Sequence, residues 1–181
     1  SCRWNADGTY VAICGALGTG SKDVRIYTFT GGDTLTEAAT AALNDSVVRC
    51  VAWHPQSSFL AFGLHGDGGS NYDRLQVLSF DGSSLTAVDS VDFAFNVIEL
   101  AWSSDGRHLA VVGDGGTNNL RLYSFDGQSL TEVTDAQKAY VAQLNSVAFN
   151  PQETVLATCG ASGQFECYEV GRLITPNTVF F

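Results

Sequence analysis

Short apolar runs alternate along the whole chain with clusters of Gly, Asp, Ser and Asn. Runs this short, rich in Val, Leu and Phe and bounded by turn residues, predict strands rather than helices. The stretch from Val47 to Phe93 shows the plan. VVRCVAW predicts a strand a ending at Trp53, and HPQSS turns the chain into strand b, FLAFGL. HGDGGSNYD leads to strand c, RLQVLSF, and Asp81-Gly82 turns into strand d, SLTAVDSV. Asp-Gly between apolar runs is a hairpin signal, because Gly readily supplies the positive φ of a tight turn.

The plan repeats. Trp4, Trp53, Trp102 and Phe149 occupy one position in four copies, spaced 49, 49 and 47 residues apart. Self-similarity at such a period marks a repeat architecture. Asp7-Gly8 and Asp105-Gly106 fall in the a–b turn, Gly31-Gly32 and Asp126-Gly127 in the c–d turn. Ala12, Ala61, Ala110 and Ala157 hold one strand-b position, where a small residue predicts close approach of neighbouring sheets. The copies run approximately over 1–43, 44–93, 94–140 and 141–181. The first begins late, with only SCRW for strand a; in the last, the LIT of the tail aligns with strand d. EAATAALND (37–45) has helical propensity but falls where strand d meets the next strand a.

A four-stranded antiparallel meander repeated around an axis predicts an all-β protein, a β-propeller segment of about four blades. SVAFNPQETVLATCGASGQFECYEV (146–170) and CVAWHPQSSFLAFGLHGDGG (50–69) resemble WD40-type blades. The chain departs from that pattern. The Trp-Asp pair closing strand c reads Tyr27-Thr28, Leu78-Ser79, Tyr123-Ser124 and Tyr168-Glu169, and the Gly-His before strand a is absent. The SFDGSSLT and SFDGQSLT turns are similar to those of bacterial lactonase-like propellers. The WD40 resemblance implies a non-enzymatic protein-interaction scaffold. The lactonase resemblance implies the alternative, an enzyme or small-ligand binder working at the channel mouth.

Charge narrows the partners. Nine basic against 19 acidic residues give a net charge of −10, and only Lys22 and Lys138 are lysines. Without a basic stripe, this field opposes nucleic acid and anionic membranes. No apolar run is long enough to span a bilayer, and no signal peptide is visible. The absence of Met points to a processed or trimmed N-terminus or a fragment. Cys2, Cys14, Cys50, Cys159 and Cys167 are odd in number and fit no metal-ligand spacing. Cys14 and Cys159 share a strand-b position with Gly63 and Val112, which predicts buried free thiols. Free thiols are compatible with a reducing, cytoplasmic compartment.

In a meander the b–c and d–a connections emerge on one face. That face is the expected protein-binding surface, and it carries His65, Asp67, Asn71, Tyr72, Asp73, Asp114 and Asn118 from b–c loops. Phe95, Asn96 and Tyr140 come from d–a segments. Length variation concentrates in the b–c loops, where rigid scaffolds carry specificity. No metal, cofactor or catalytic set is expected. HGDGGSNYD lacks the alternating carboxylates of a calcium loop, and GTGSKD is not a phosphate cradle. His54 and His65 fall at opposite ends of their sheet, and no GxSxG or HExxH occurs. Glu99, which replaces Cys50 in strand a, is a channel carboxylate with Arg49 displaced by one position. Open terminal blades would need neighbours. A homo-oligomer, two chains closing an eight-bladed ring, or a longer propeller chain would supply them. Cys2, Trp4, Phe180 and Phe181 would then lie at the junction.

Overall fold

The computed structural model describes residues 1–15, 24–29, 31–32, 34–43, 47–65, 74–92, 95–115, 118–136, 143–163 and 165–171. The first sheet holds β1 (Cys2–Trp4), β2 (Tyr10–Cys14), β3 (Val24–Phe29) and β4 (Leu35–Ala41). The second holds β5 (Val47–Trp53), β6 (Phe59–His65), β7 (Leu75–Phe80) and β8 (Leu85–Val91). The third holds β9 (Asn96–Trp102), β10 (His108–Asp114), β11 (Leu120–Phe125) and β12 (Leu130–Glu132). The fourth has three described strands, β13 (Leu144–Phe149), β14 (Val155–Gly160) and β15 (Phe165–Glu169). Every sheet is an antiparallel meander in chain order. The expected strand d of the tail lies outside the described residues. The Ala-rich stretch is strand through Ala41 and not helix, because β4 pairs along β3 and the ladder overrides propensity.

Strand a carries a register shift at one place in three copies. Arg49, Ile98 and Asn145 are each skipped in the pairing of β5 with β6, β9 with β10 and β13 with β14. Such a bulge bends the strand and re-aims its side chains. It accounts for the displacement of Arg49, which is exposed.

Three apolar layers lie between the four sheets. β6 shows why its sequence reads as a continuous apolar run. Leu60, Phe62 and Leu64 face the first sheet, while Ala61 packs toward the third. The recurring alanines mark the side that meets the next sheet. Beside them, a Cβ on Gly63 would overlap Val97 of β9 and Cys50. The small residue is required there by close approach of two sheets.

The same geometry corrects two expectations. Cys14 faces the second sheet and is buried, but Cys159, its counterpart, is exposed. Its side of β14 has no following sheet among the described residues. A large aromatic repeated at the end of strand a predicts Trp53 and Trp102 buried between sheets, and they are less buried than that. Trp53 and Trp102 are half-buried at the ends of their strands, and Trp4 is 52% exposed. β5 packs on β1 and β2, and β13 on β9 and β10, but among the described residues no such interface joins β13 to β1. Among the described residues the four sheets form an arc with no closing interface of that kind.

Candidate functional site

The pairing fixes which connections share a face. Val47 stands opposite His65, and Asn96 opposite Asp114, so strand a begins where strand b ends. His65, Asn96, Asp114 and Asn118 belong to this end of the sheets, each half-buried. Asn96 accepts a hydrogen bond from Arg74 Nη1 at 2.6 Å, which ties the second sheet to the third. Phe95 does not belong to an accessible surface. It is 2% exposed within the layer between the second and third sheets, with the Arg121 guanidinium 5.6 Å from its ring centroid. A large apolar ring at the mouth of the interface is buried there more favourably than it is exposed. Asp67, Asn71, Tyr72, Asp73, Tyr140, Phe180 and Phe181 lie outside the described residues. Cys2 and Trp4 are both exposed on β1.

The strands nearest the axis are joined by Glu99. Its Oε1 accepts from Arg3 Nη2 at 3.3 Å, and Oε2 accepts from the Val147 amide at 3.4 Å. One carboxylate thus links β1, β9 and β13, in three different sheets. This use of Glu99 is structural, and it holds the carboxylate between two donors. Arg49 is not among those donors.

The opposite end carries the a–b and c–d turns, and a second order is visible there. The indole of Trp53 donates to the Arg3 carbonyl at 3.0 Å, and that of Trp102 to the Ala52 carbonyl at 3.2 Å. Each indole reaches back to the residue before the equivalent aromatic of the preceding sheet. The Phe149 ring has no N–H and cannot continue the series. At the last junction the Glu153 carboxylate crosses instead, accepting from Ser104 Oγ and the Asp105 amide. Glu153 sits at φ 59°, where Gly8 and Gly106 sit at 75° and 73°. A non-glycine residue is strained in that region.

The residue after the strand-a aromatic decides whether the junction is filled. In the second copy it is His54. Its ring lies 5.0 Å from Trp102, 6.1 Å from Phe59 and 6.2 Å from Phe125, between the second and third sheets. Nε2–H donates to the Gly106 carbonyl at 3.0 Å, and Nδ1 accepts from Ser57 Oγ at 2.7 Å and the Gln56 amide at 3.2 Å. A Cβ on Gly106 would overlap the ring. Burial pushes the His54 pKa down, against the raising effect of the Gly106 carbonyl and of Asp105. In the first copy the same position is Asn5, whose Oδ1 turns back to the Tyr10 amide at 2.9 Å. In the third it is Ser103, bonded within its own turn to Asp105 and His108. Grooves of about 500 Å³ and about 630 Å³ remain at these two junctions. The histidine count alone would not have found this; aligning the residue after each strand-a aromatic does.

A family model described as WD domain, G-beta repeat (WD40) matches residues 39–70. That window takes in β5 and β6 of the second sheet. No curated protein sequence matches the chain. Among solved structures it is similar to a protein named as a 6-phosphogluconolactonase from Bacteroides uniformis ATCC 8492, at 15% identity and a TM-score of 0.74. The likeness covers 93% of this chain and 49% of that one. It is also similar to a chain of the mitotic checkpoint complex, at 24% identity and a TM-score of 0.71, covering 94% of this chain and 50% of that one. The chain spans about half the length of each. These likenesses show the fold, a β-propeller, and residues 39–70 are similar to a WD40 repeat.

Proposed function

We propose that the chain is a non-enzymatic scaffold for protein–protein interaction. The WD40 repeat match on a propeller framework carries this reading. The proposed surface is the b–c/d–a end, with His65, Asn96, Asp114 and Asn118 among its described residues and Tyr72 and Tyr140 assigned by sequence. Mixed amide, acidic and aromatic groups suit recognition of a neutral or cationic protein partner. Replacing Tyr72 and Tyr140 together by Ala tests it. Quantitative affinity purification should lose a specific partner with that variant, while circular dichroism is unchanged; interface aromatics each contribute about 2 kcal/mol or more. Equal recovery of the partner overturns the choice of face.

The lactonase-like neighbour supports a second reading, a small-molecule enzyme at the channel mouth. Such an enzyme needs a free acid or base on the axis, and Glu99 is already held by Arg3 and the Val147 amide. Turnover by the chain in a panel of lactones and esters, lost in Glu99→Gln, would replace the scaffold reading with this one.

A further inference from the structure

We propose that a second copy of this chain docks head to tail on the first, the first sheet of each covering the fourth sheet of the other. The chain carries both halves of the contact. The layer between its own first and second sheets shows what each half is. The first sheet contributes Ala12, Cys14, Val24 and Ile26, and the second contributes Val51, Phe62, Leu78 and Phe80. Strand pairing finds the counterparts of both sets on faces against which no described sheet packs. On the fourth sheet Ala157 and Cys159 stand opposite Cys167 and Phe165, as Ala12 and Cys14 stand opposite Ile26 and Val24 on the first. Cys159, Phe165 and Cys167 are exposed. Cys2, Ile13 and Phe29 hold the places of Val51, Phe62 and Phe80 in the pairing, and they are exposed too.

The indole series fixes the register of the contact. Trp53 donates to the Arg3 carbonyl and Trp102 to the Ala52 carbonyl, each one sheet back. Trp4 is the first member of that series, and its N–H has no acceptor among the described residues. The residue before the aromatic of the fourth sheet is Ala148, which is exposed. The Ala148 carbonyl of the second copy is the acceptor for Trp4. The ring is already set for it: Trp4 meets Phe29 edge-on at 5.9 Å, as Trp53 meets Phe80 at 6.0 Å. The four sheets match about half of each similar propeller, so their arc leaves room for as many sheets again. Two copies bring eight sheets, within the range of about four to eight blades. A heterologous contact of this kind either closes or grows into a filament. Burial of the apolar faces drives the association. It acts against the repulsion of two chains of net charge −10 each.

Sedimentation of the intact chain at micromolar concentration should give the mass of two chains. Association should strengthen with salt, which screens the like charges. Ile13→Asp on the first sheet and Phe165→Asp on the fourth alter exposed side chains, 37% and 68% accessible. Each alone should raise the dissociation constant at least about tenfold. In Phe165→Asp the indole N–H of Trp4, itself unaltered, should exchange with deuterium at least about tenfold faster than in the parent. In a Cys167→Ser background, a short bis-maleimide should join Cys2 of one copy to Cys159 of the other, and Cys2→Ser or Cys159→Ser should abolish the product. If an Asp variant does not fold, the bis-maleimide result decides alone. A monomer at every concentration, a species larger than two chains, association weakened by salt, or no Cys2–Cys159 product overturns the proposal. So does a dimer disturbed by Ile13→Asp and not by Phe165→Asp, which would set first sheet on first sheet. Replacing Tyr72 and Tyr140 by Ala should leave the mass unchanged. Failure of this contact and failure of the scaffold surface are thereby separately readable.

Discussion

At the scale of single residues, the indoles of the strand-a position do two things at once. Trp102 packs against the layer between the second and third sheets and donates to Ala52. Phe149 shows that the packing can be kept without the hydrogen bond. Trp102→Phe should therefore cost about 1 kcal/mol, the scale of one hydrogen bond. Trp102→Ala should cost about 3 kcal/mol, the low end for an aromatic truncation because the ring is half-buried. Urea unfolding of the two variants measures both. His54 adds a pH dependence. Its pKa is lowered in the folded chain, so the unfolded chain binds the proton more readily. The stabilisation is complete above the ordinary imidazole value of about 6.5 and is lost as pH falls below it toward the folded value. Urea midpoints between about pH 7.5 and 5 should decline in the parent, and the decline should be shallower in His54→Gln. The turn aspartates Asp7, Asp81 and Asp126 titrate in a separate, lower window, held below the ordinary carboxylate range by hydrogen bonds from their own turns.

At the scale of the element, the spacing of adjacent sheets is set by one position on strand b. Gly63 meets Val97 and Cys50 without room for a Cβ, while Cys14 and Val112 hold the same position at other junctions. Gly63→Ala should force the second and third sheets apart or displace Val97, at a cost of about 1–3 kcal/mol. Thermal unfolding would show it, and a variant as stable as the parent would refute the close approach. Strand d gives the opposite case. β4 and β8 are outer strands with partly exposed faces, and variation there has less packing to disturb.

At the scale of the whole molecule, exposed apolar side chains collect at the open ends of the arc. Trp4, Ile13, Phe29 and Leu35 lie on the first sheet and Phe165, 68% exposed, on the last. Trp4 and Phe29 are counterparts of Trp53 and Phe80, which in the second sheet pack toward the sheet before it. Repeat units bury such faces against neighbours. The expectation is that this chain self-associates or binds a hydrophobic dye, and that Trp4→Ser combined with Phe29→Ser reduces either behaviour. Light scattering with dye fluorescence checks this. A stable monomer that binds no dye would show that the ends need no neighbour.

How much of this was legible in the sequence differs by scale. The strands and turns were, because local chemistry decides them: Asp-Gly and Gly-Gly fix the hairpins, and apolar runs between them have no helical alternative at that length. The repeat of Trp4, Trp53, Trp102 and Phe149 was legible too, and with it the stack of like sheets. The binding surface was legible only as a choice of face, since antiparallel pairing puts b–c and d–a connections together whatever their residues. Burial of Phe95, exposure of Cys159 and capture of Glu99 by Arg3 and Val147 were decided by the tertiary structure. Each depends on what the adjacent sheet places opposite, and no spacing within one copy contains that. The same holds for His54 and Asn5. One position after one aromatic, the sequence shows a substitution; only the packing of two sheets turns it into a filled junction or an open groove.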